Sequence, residues 1–154
     1  MTSHRIATWY LIVVAAVLVL FGSGDVVGGV TVDPGITLGL SGLTPAELRT
    51  NEPTGYDVYD FATRTQGLAL AAFGIAFLAI AAIPYRAGQR WAWWVAWILP
   101  AWSAAVAALY LAHGIRPEIA PPPPLVSGPA IAGIAAILLL ADRASFLRAR
   151  PEVA

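Results

Sequence analysis

The chain has 154 residues, of which 58% are apolar and 12% charged, with a formal net charge of zero. Soluble domains carry about 45–50% apolar and about 25% charged residues, so this chain has too little polar surface to stay dispersed in water. Zero net charge gives no basic field for nucleic acid, the lack of cysteine excludes disulfides and thiol chemistry, and two histidines, His4 and His113, are too few for a histidine-rich metal centre.

A membrane-spanning helix needs roughly 20 predominantly apolar residues. The first such segment covers about residues 6–24, with no charge before Asp25. A secretory signal peptide is the competing reading, because a short basic end precedes the apolar run. The length of that run and the absence of an A-x-A cleavage pattern favour a retained span.

The next stretch, about residues 26–64, is the longest polar segment, and a loop of this length calls for local order. Asp33-Pro34-Gly35 reads as a turn, with Pro presetting one backbone angle and Gly permitting a positive one. Thr44-Pro45-Ala46-Glu47 reads as a helix start with a reciprocal cap between Thr44 and Glu47, and that helix should end before Pro53. A second cap is expected at Thr54, three residues before Asp57. From there a helix carrying Tyr56, Tyr59 and Phe61 would run into the second span, with Asp60 and Arg64 facing each other four residues apart.

The second span covers about residues 67–83 and ends at Pro84. The third covers about 91–112 and the fourth about 125–141, and each has an uncharged centre. A short polar link, residues 85–90, joins the second and third. The third and fourth are separated by residues 113–124, whose run Pro121 to Pro124 favours extended polyproline backbone. The expected fold is therefore all-α: one polytopic domain, a four-helix transmembrane bundle with a partly ordered extracytoplasmic loop between helices 1 and 2.

All nine basic residues are Arg, a usage that points to a GC-rich bacterial genome. Six of them (Arg5, Arg86, Arg90, Arg143, Arg148, Arg150) fall on one side of a four-span layout, and Arg49, Arg64 and Arg116 fall on the other. The positive-inside rule puts the six-Arg side and both termini in the cytoplasm, with the chain in the inner (plasma) membrane.

Several residues are candidates for ligand binding or coupling, each with a plainer alternative. Arg90-Trp91-Ala92-Trp93-Trp94, with Trp97 one turn on, suits an interfacial anchor, since Trp combines an apolar body with one donor. Its functional reading is a lipid-headgroup or quinone-type site using Arg86, Arg90 and Trp94. Pro100 should kink the third helix by freeing the carbonyl of Ala96, with Ser103 near enough to satisfy a freed group. The kink either opens a cavity or is structural only. Asp25 is a coupling candidate if its helix continues to Val30, with Arg64 or Arg116 as partner. His113 is interfacial or a proton or metal group. Small residues at Ala72, Ala76 and Ala79, at Ala104, Ala107 and Ala108, and at Gly128, Ala132 and Ala136 suit close helix packing, within the chain or against another copy or subunit. No phosphate loop, dinucleotide fingerprint, Ser/His/Asp set or metal-binding helix motif is present, so no catalytic, cofactor or metal residue is assigned.

Leu43-Thr44-Pro45-Ala46-Glu47-Leu48 and the stretch from Tyr85 to Trp94 together resemble uncharacterised small four-span bacterial integral membrane proteins, a resemblance that implies no catalytic residues. The expected partners are the lipid bilayer and a second copy or another membrane subunit, with no nucleic acid. Three functions are compatible with these residues. The leading one is a non-enzymatic accessory or scaffolding subunit. The second is a small transporter or ligand-binding protein built on Asp25, Arg64 and the Pro100 kink. The third is a lipid-modifying enzyme using Asp57, Asp60 and His113.

Overall fold

The computed structural model describes residues 2–115 and 123–147. Within them all regular structure is helical: α1 (Thr2–Gly28), α2 (Pro34–Ser41), α3 (Pro45–Asn51), α4 (Pro53–Ile80), α5 (Arg90–Ala96), α6 (Ile98–Ala112) and α7 (Pro123–Leu147), with a 3₁₀ turn after α1 and a π turn after α4. Four stretches are long and apolar enough to cross a membrane: Ser3–Thr31, Pro53–Tyr85, Arg90–Ala112 and Leu125–Leu147. Only 22–28% of their most apolar windows is buried within the chain, so most of that apolar surface faces outward. Lipid satisfies such a surface and water does not. These features suggest a multi-pass membrane protein.

The helices run further than hydropathy indicated. The first reaches Gly28 instead of residue 24, which puts Asp25 inside a helix. The second starts at Pro53, so most of the expected 26–64 loop is helical. The fourth continues past 141 to Leu147 and carries Asp142 with it. Hydropathy marks where apolar residues stop, whereas a helix stops where its backbone bonds do.

Local chemistry explains the connecting pieces. Asp33-Pro34-Gly35 is a helix start, not a turn. Asp33 caps α2 by accepting from the Gly35 N–H (3.2 Å), and Pro34 takes the first helical position. Gly35 has no positive φ; the left-handed residue is Gly42 (φ 73°), just past the end of α2. The Thr44 cap forms as its residues predict: Thr44 Oγ1 accepts from Glu47 N–H (3.2 Å), and Glu47 Oε2 accepts from Thr44 N–H (2.8 Å). These bonds hold the Glu47 carboxyl below the ordinary range. The second cap does not fall on Thr54. Pro53 occupies the first helical turn, which moves the cap position back to Glu52, and no side chain bonds there.

Pro84 does not end its helix abruptly. The backbone widens over Ala81–Tyr85, with the Arg86 N–H reaching the Ala81 carbonyl (3.3 Å) and Tyr85 turned fully inward. Pro100 perturbs the third span as expected, three residues upstream of itself. The helix breaks at Trp97, where Trp97 N–H bonds the Trp94 carbonyl (3.2 Å). Ser103 forms no bond to the freed Ala96 carbonyl; it is buried facing α7, where its carbonyl would lie 3.5 Å from a Cβ on Gly128. Pro123 opens α7, so the end of the proline run is helical, in the first turn where proline is tolerated; Pro121 and Pro122 lie outside the described residues.

Packing is closest between α1 and α4. A Cβ on Gly22 would come within 2.5 Å of Ala71 N and Gly67 O, one on Gly67 within 2.5 Å of Asp25 Cβ, and one on Gly74 within 2.8 Å of Val19 Cγ2. Backbone meets backbone here, which only glycine permits. The small residues that do this are Gly22, Gly67 and Gly74. Ala72, Ala76 and Ala79, the stripe expected to line α4, are exposed on its opposite side, as are Ala104 and Ala108 on α6. Ala107 and Gly128 are buried where α6 meets α7. The α1 helix also packs on α7, while α4 meets α6 through the Phe73 and Trp102 rings, 5.5 Å apart.

Candidate functional site

The four long helices enclose polar groups at both ends. At one end, α1, the start of α2, α4, α6 and α7 surround a cleft of about 220 Å³. Leu18, Phe21, Leu70, Trp102 and Ile131 give it apolar and aromatic walls, and Asp25 and Asp33 supply two carboxylates. No basic side chain among the described residues lines it. Asp25 accepts no hydrogen bond from any described residue. Among the described residues Asp33 has only its capping bond, and burial pushes its carboxyl above the ordinary range, partly offset by the Gly35 N–H.

Arg64 is not the partner of Asp25. Its Nε donates to Asp60 Oδ2 (2.7 Å), and its Nη1 donates to the carbonyls of Val26 (2.7 Å) and Val27 (2.9 Å). Those carbonyls belong to the last turn of α1, where no helical N–H remains to satisfy them and a cation is favoured. Asp60 Oδ1 in turn accepts from Val30 N–H (3.1 Å). Gly29, at φ 58°, permits this approach, since a Cβ there would collide with the Asp60 carboxylate. The Asp60–Arg64 pair expected from spacing therefore forms, and it clasps α1 to α4 beside the cleft. Arg116, the other proposed partner, lies outside the described residues.

At the opposite end stands a cluster that sequence reasoning missed. Asp142 on α7 is fully buried. Its Oδ2 lies 2.7 Å from His4 Nδ1 and accepts from the Tyr85 hydroxyl (2.8 Å). His4 Nε2 is 3.2 Å from the Arg86 carbonyl. Both neighbours of the imidazole are oxygen acceptors. Phe146 packs on both rings, 5.3 Å from His4 and 4.9 Å from Tyr85. Asp142 Oδ1 is buried with no partner among the described residues. The cluster ties together the start of α1, the π turn and the end of α7. A usable signal was present: Asp142 directly follows the apolar run of the fourth span and belongs to the same helix.

The remaining candidates are scattered. Trp93 points inward and donates to the Leu139 carbonyl (3.0 Å), while Trp91 and Trp94 are exposed at 51% and 58%, as interfacial anchors would be. Arg90 is exposed beside Trp91. Pro100 is buried and does not line the cleft, although Trp102 and Ser103, just beyond it, do. His113 is exposed at the end of α6, with Nδ1 2.9 Å from the Leu109 carbonyl. No hydrogen bond or ion pair among the described residues joins it to Asp57 or Asp60, and no three His, Asp or Glu side chains there gather as a metal set.

Comparison with protein-family models, curated proteins and solved structures finds no match to this chain.

Proposed function

We propose that this protein is a non-enzymatic inner-membrane protein that binds a small amphipathic cation in the cleft between its long helices. The observation that carries this reading is the pair Asp25 and Asp33 in an apolar, aromatic-walled cleft that no described basic residue lines. A carboxylate in a low-dielectric wall is costly unless a cation meets it. Phe21, Trp102 and Tyr110 line it with aromatic rings, a residue type that suits an organic ammonium group. The volume favours a ligand the size of a simple aromatic amine. The exposed Arg5, Arg86, Arg90 and Arg143 support a reading in which the opposite end is cytoplasmic, with both termini inside and the cleft opening from the outer side.

Native mass spectrometry of the protein purified from its own membrane tests this. The expected result is a discrete co-purifying organic cation that disappears in Asp25→Asn. A second reading, an accessory or scaffolding subunit, is favoured by the exposure of Ala72, Ala76 and Ala79, which leaves a small-residue face free for another copy or another membrane helix. A defined protein partner or homo-oligomer with an empty cleft supports that reading instead.

A further inference from the structure

At the end opposite the acidic cleft, a second opening of about 590 Å³ is lined by His4, Arg86, Gln89, Arg90, Trp91 and Ser145. We propose that it binds a phosphate group, presented by an anionic phospholipid at the membrane surface.

The argument starts from unmatched charge. Arg86 and Arg90 sit on either side of the turn at Gly88 (φ 72°), and both are exposed. Neither guanidinium has a carboxylate or hydrogen-bond partner among the described residues. No acidic side chain among the described residues lines the opening. Asp142, beyond His4, is fully buried and bonded by His4, so it does not face the arginines. Two guanidiniums four residues apart present planar donor forks that match phosphate oxygens, and the Ser145 hydroxyl and Gln89 amide add neutral donors. Trp91, half exposed at the rim with its N–H on Gln89 Oε1 (2.6 Å), and Trp94, also exposed, set the depth. Interfacial tryptophans lie at the headgroup level, where lipid phosphates are. That placement favours lipid over free phosphate as the source. His4 links the site to the buried cluster: one ring nitrogen faces Asp142, the other faces the carbonyl of Arg86 itself.

The test uses the full chain in a phosphate-free maltoside detergent, titrated by native mass spectrometry with dioctanoyl phosphatidylglycerol, dioctanoyl phosphatidylcholine and inorganic phosphate. The wild type should prefer phosphatidylglycerol to phosphatidylcholine, and Arg86→Gln/Arg90→Gln should lose about 25-fold in phosphatidylglycerol affinity. Arg5→Gln/Arg143→Gln alters the same end outside the opening and should lose far less. Equal losses in the two pairs, or no loss in the first, overturn the proposal. Binding of inorganic phosphate without lipid keeps the phosphate chemistry and overturns the lipid source. Should the double variant fail to fold, Arg90→Lys keeps the charge but not the fork; a severalfold loss is expected, and unchanged affinity counts against the site.

Discussion

The two ends of this molecule treat buried acid in opposite ways. At the end where α1 starts, Asp142 is enclosed, and His4 and Tyr85 bond its Oδ2 within the chain. At the cleft end Asp25 and Asp33 face an open cleft with no cation on its described walls. One arrangement is a structural lock and the other is unfinished, in the sense that an external cation would complete it. The cost of burying a polar group is the same physics in both places; what differs is whether the chain supplies bonding partners.

The largest expected effect lies in the lock. Asp142→Ala removes one partner of a buried pair and strands His4 and the Tyr85 hydroxyl, with an expected loss of about 3–5 kcal/mol in detergent-denaturation stability. Asp25→Asn at the cleft end removes a carboxylate that no described residue bonds, so no comparable loss is expected in the same assay. Equal losses at the two acids would erase the distinction. Between them stands the glycine seam. Gly67→Ala puts a methyl against the α1 backbone, and about 1–3 kcal/mol of destabilisation is expected in the same denaturation series. Smaller again is the clasp beside the cleft. Arg64→Gln gives up a half-exposed ion pair and a cation at a helix end, together about 1 kcal/mol, and amide exchange should quicken over the last turn of α1.

The acidic end also has a pH signature. Burial raises the Asp33 carboxyl, so it takes up a proton at a higher pH than a free aspartate does. The protonated form is neutral and offers a cation nothing. Binding of an organic cation should therefore weaken as pH falls, beginning above the ordinary aspartate value of about 3.9. Isothermal titration from pH 7 downwards checks this, and a constant affinity across that window would remove Asp33 from the site.

The contrast between the ends also marks what the sequence could disclose. The spans were legible because a run of apolar residues reports on its solvent. The Thr44–Glu47 cap and the Asp60–Arg64 pair were legible because both are set by spacing within one helix. The lock was not, because His4 and Asp142 are 138 residues apart and meet only through helix packing. Ending the fourth span at 141 then set Asp142 outside the membrane. The glycine seam was missed for a related reason. Periodicity finds small-residue stripes but not the side they face, and the alanines that formed the more regular stripe on α4 point away from α1. Assigning Arg64 to Asp25 weighed opposite charges and overlooked the unsatisfied carbonyls of Val26 and Val27, which hold the guanidinium instead.

The most direct test of the central claim is a titration of benzyltrimethylammonium into the purified protein at pH 7, beside neopentylbenzene as its uncharged counterpart. The account predicts that the cation binds more tightly than the neutral molecule. It also predicts that Asp25→Asn/Asp33→Asn lowers cation affinity by roughly tenfold or more, through loss of the charge–charge attraction in a partly buried site, while the neutral molecule is unaffected. Equal affinity of the double variant and the wild type for the cation would contradict it.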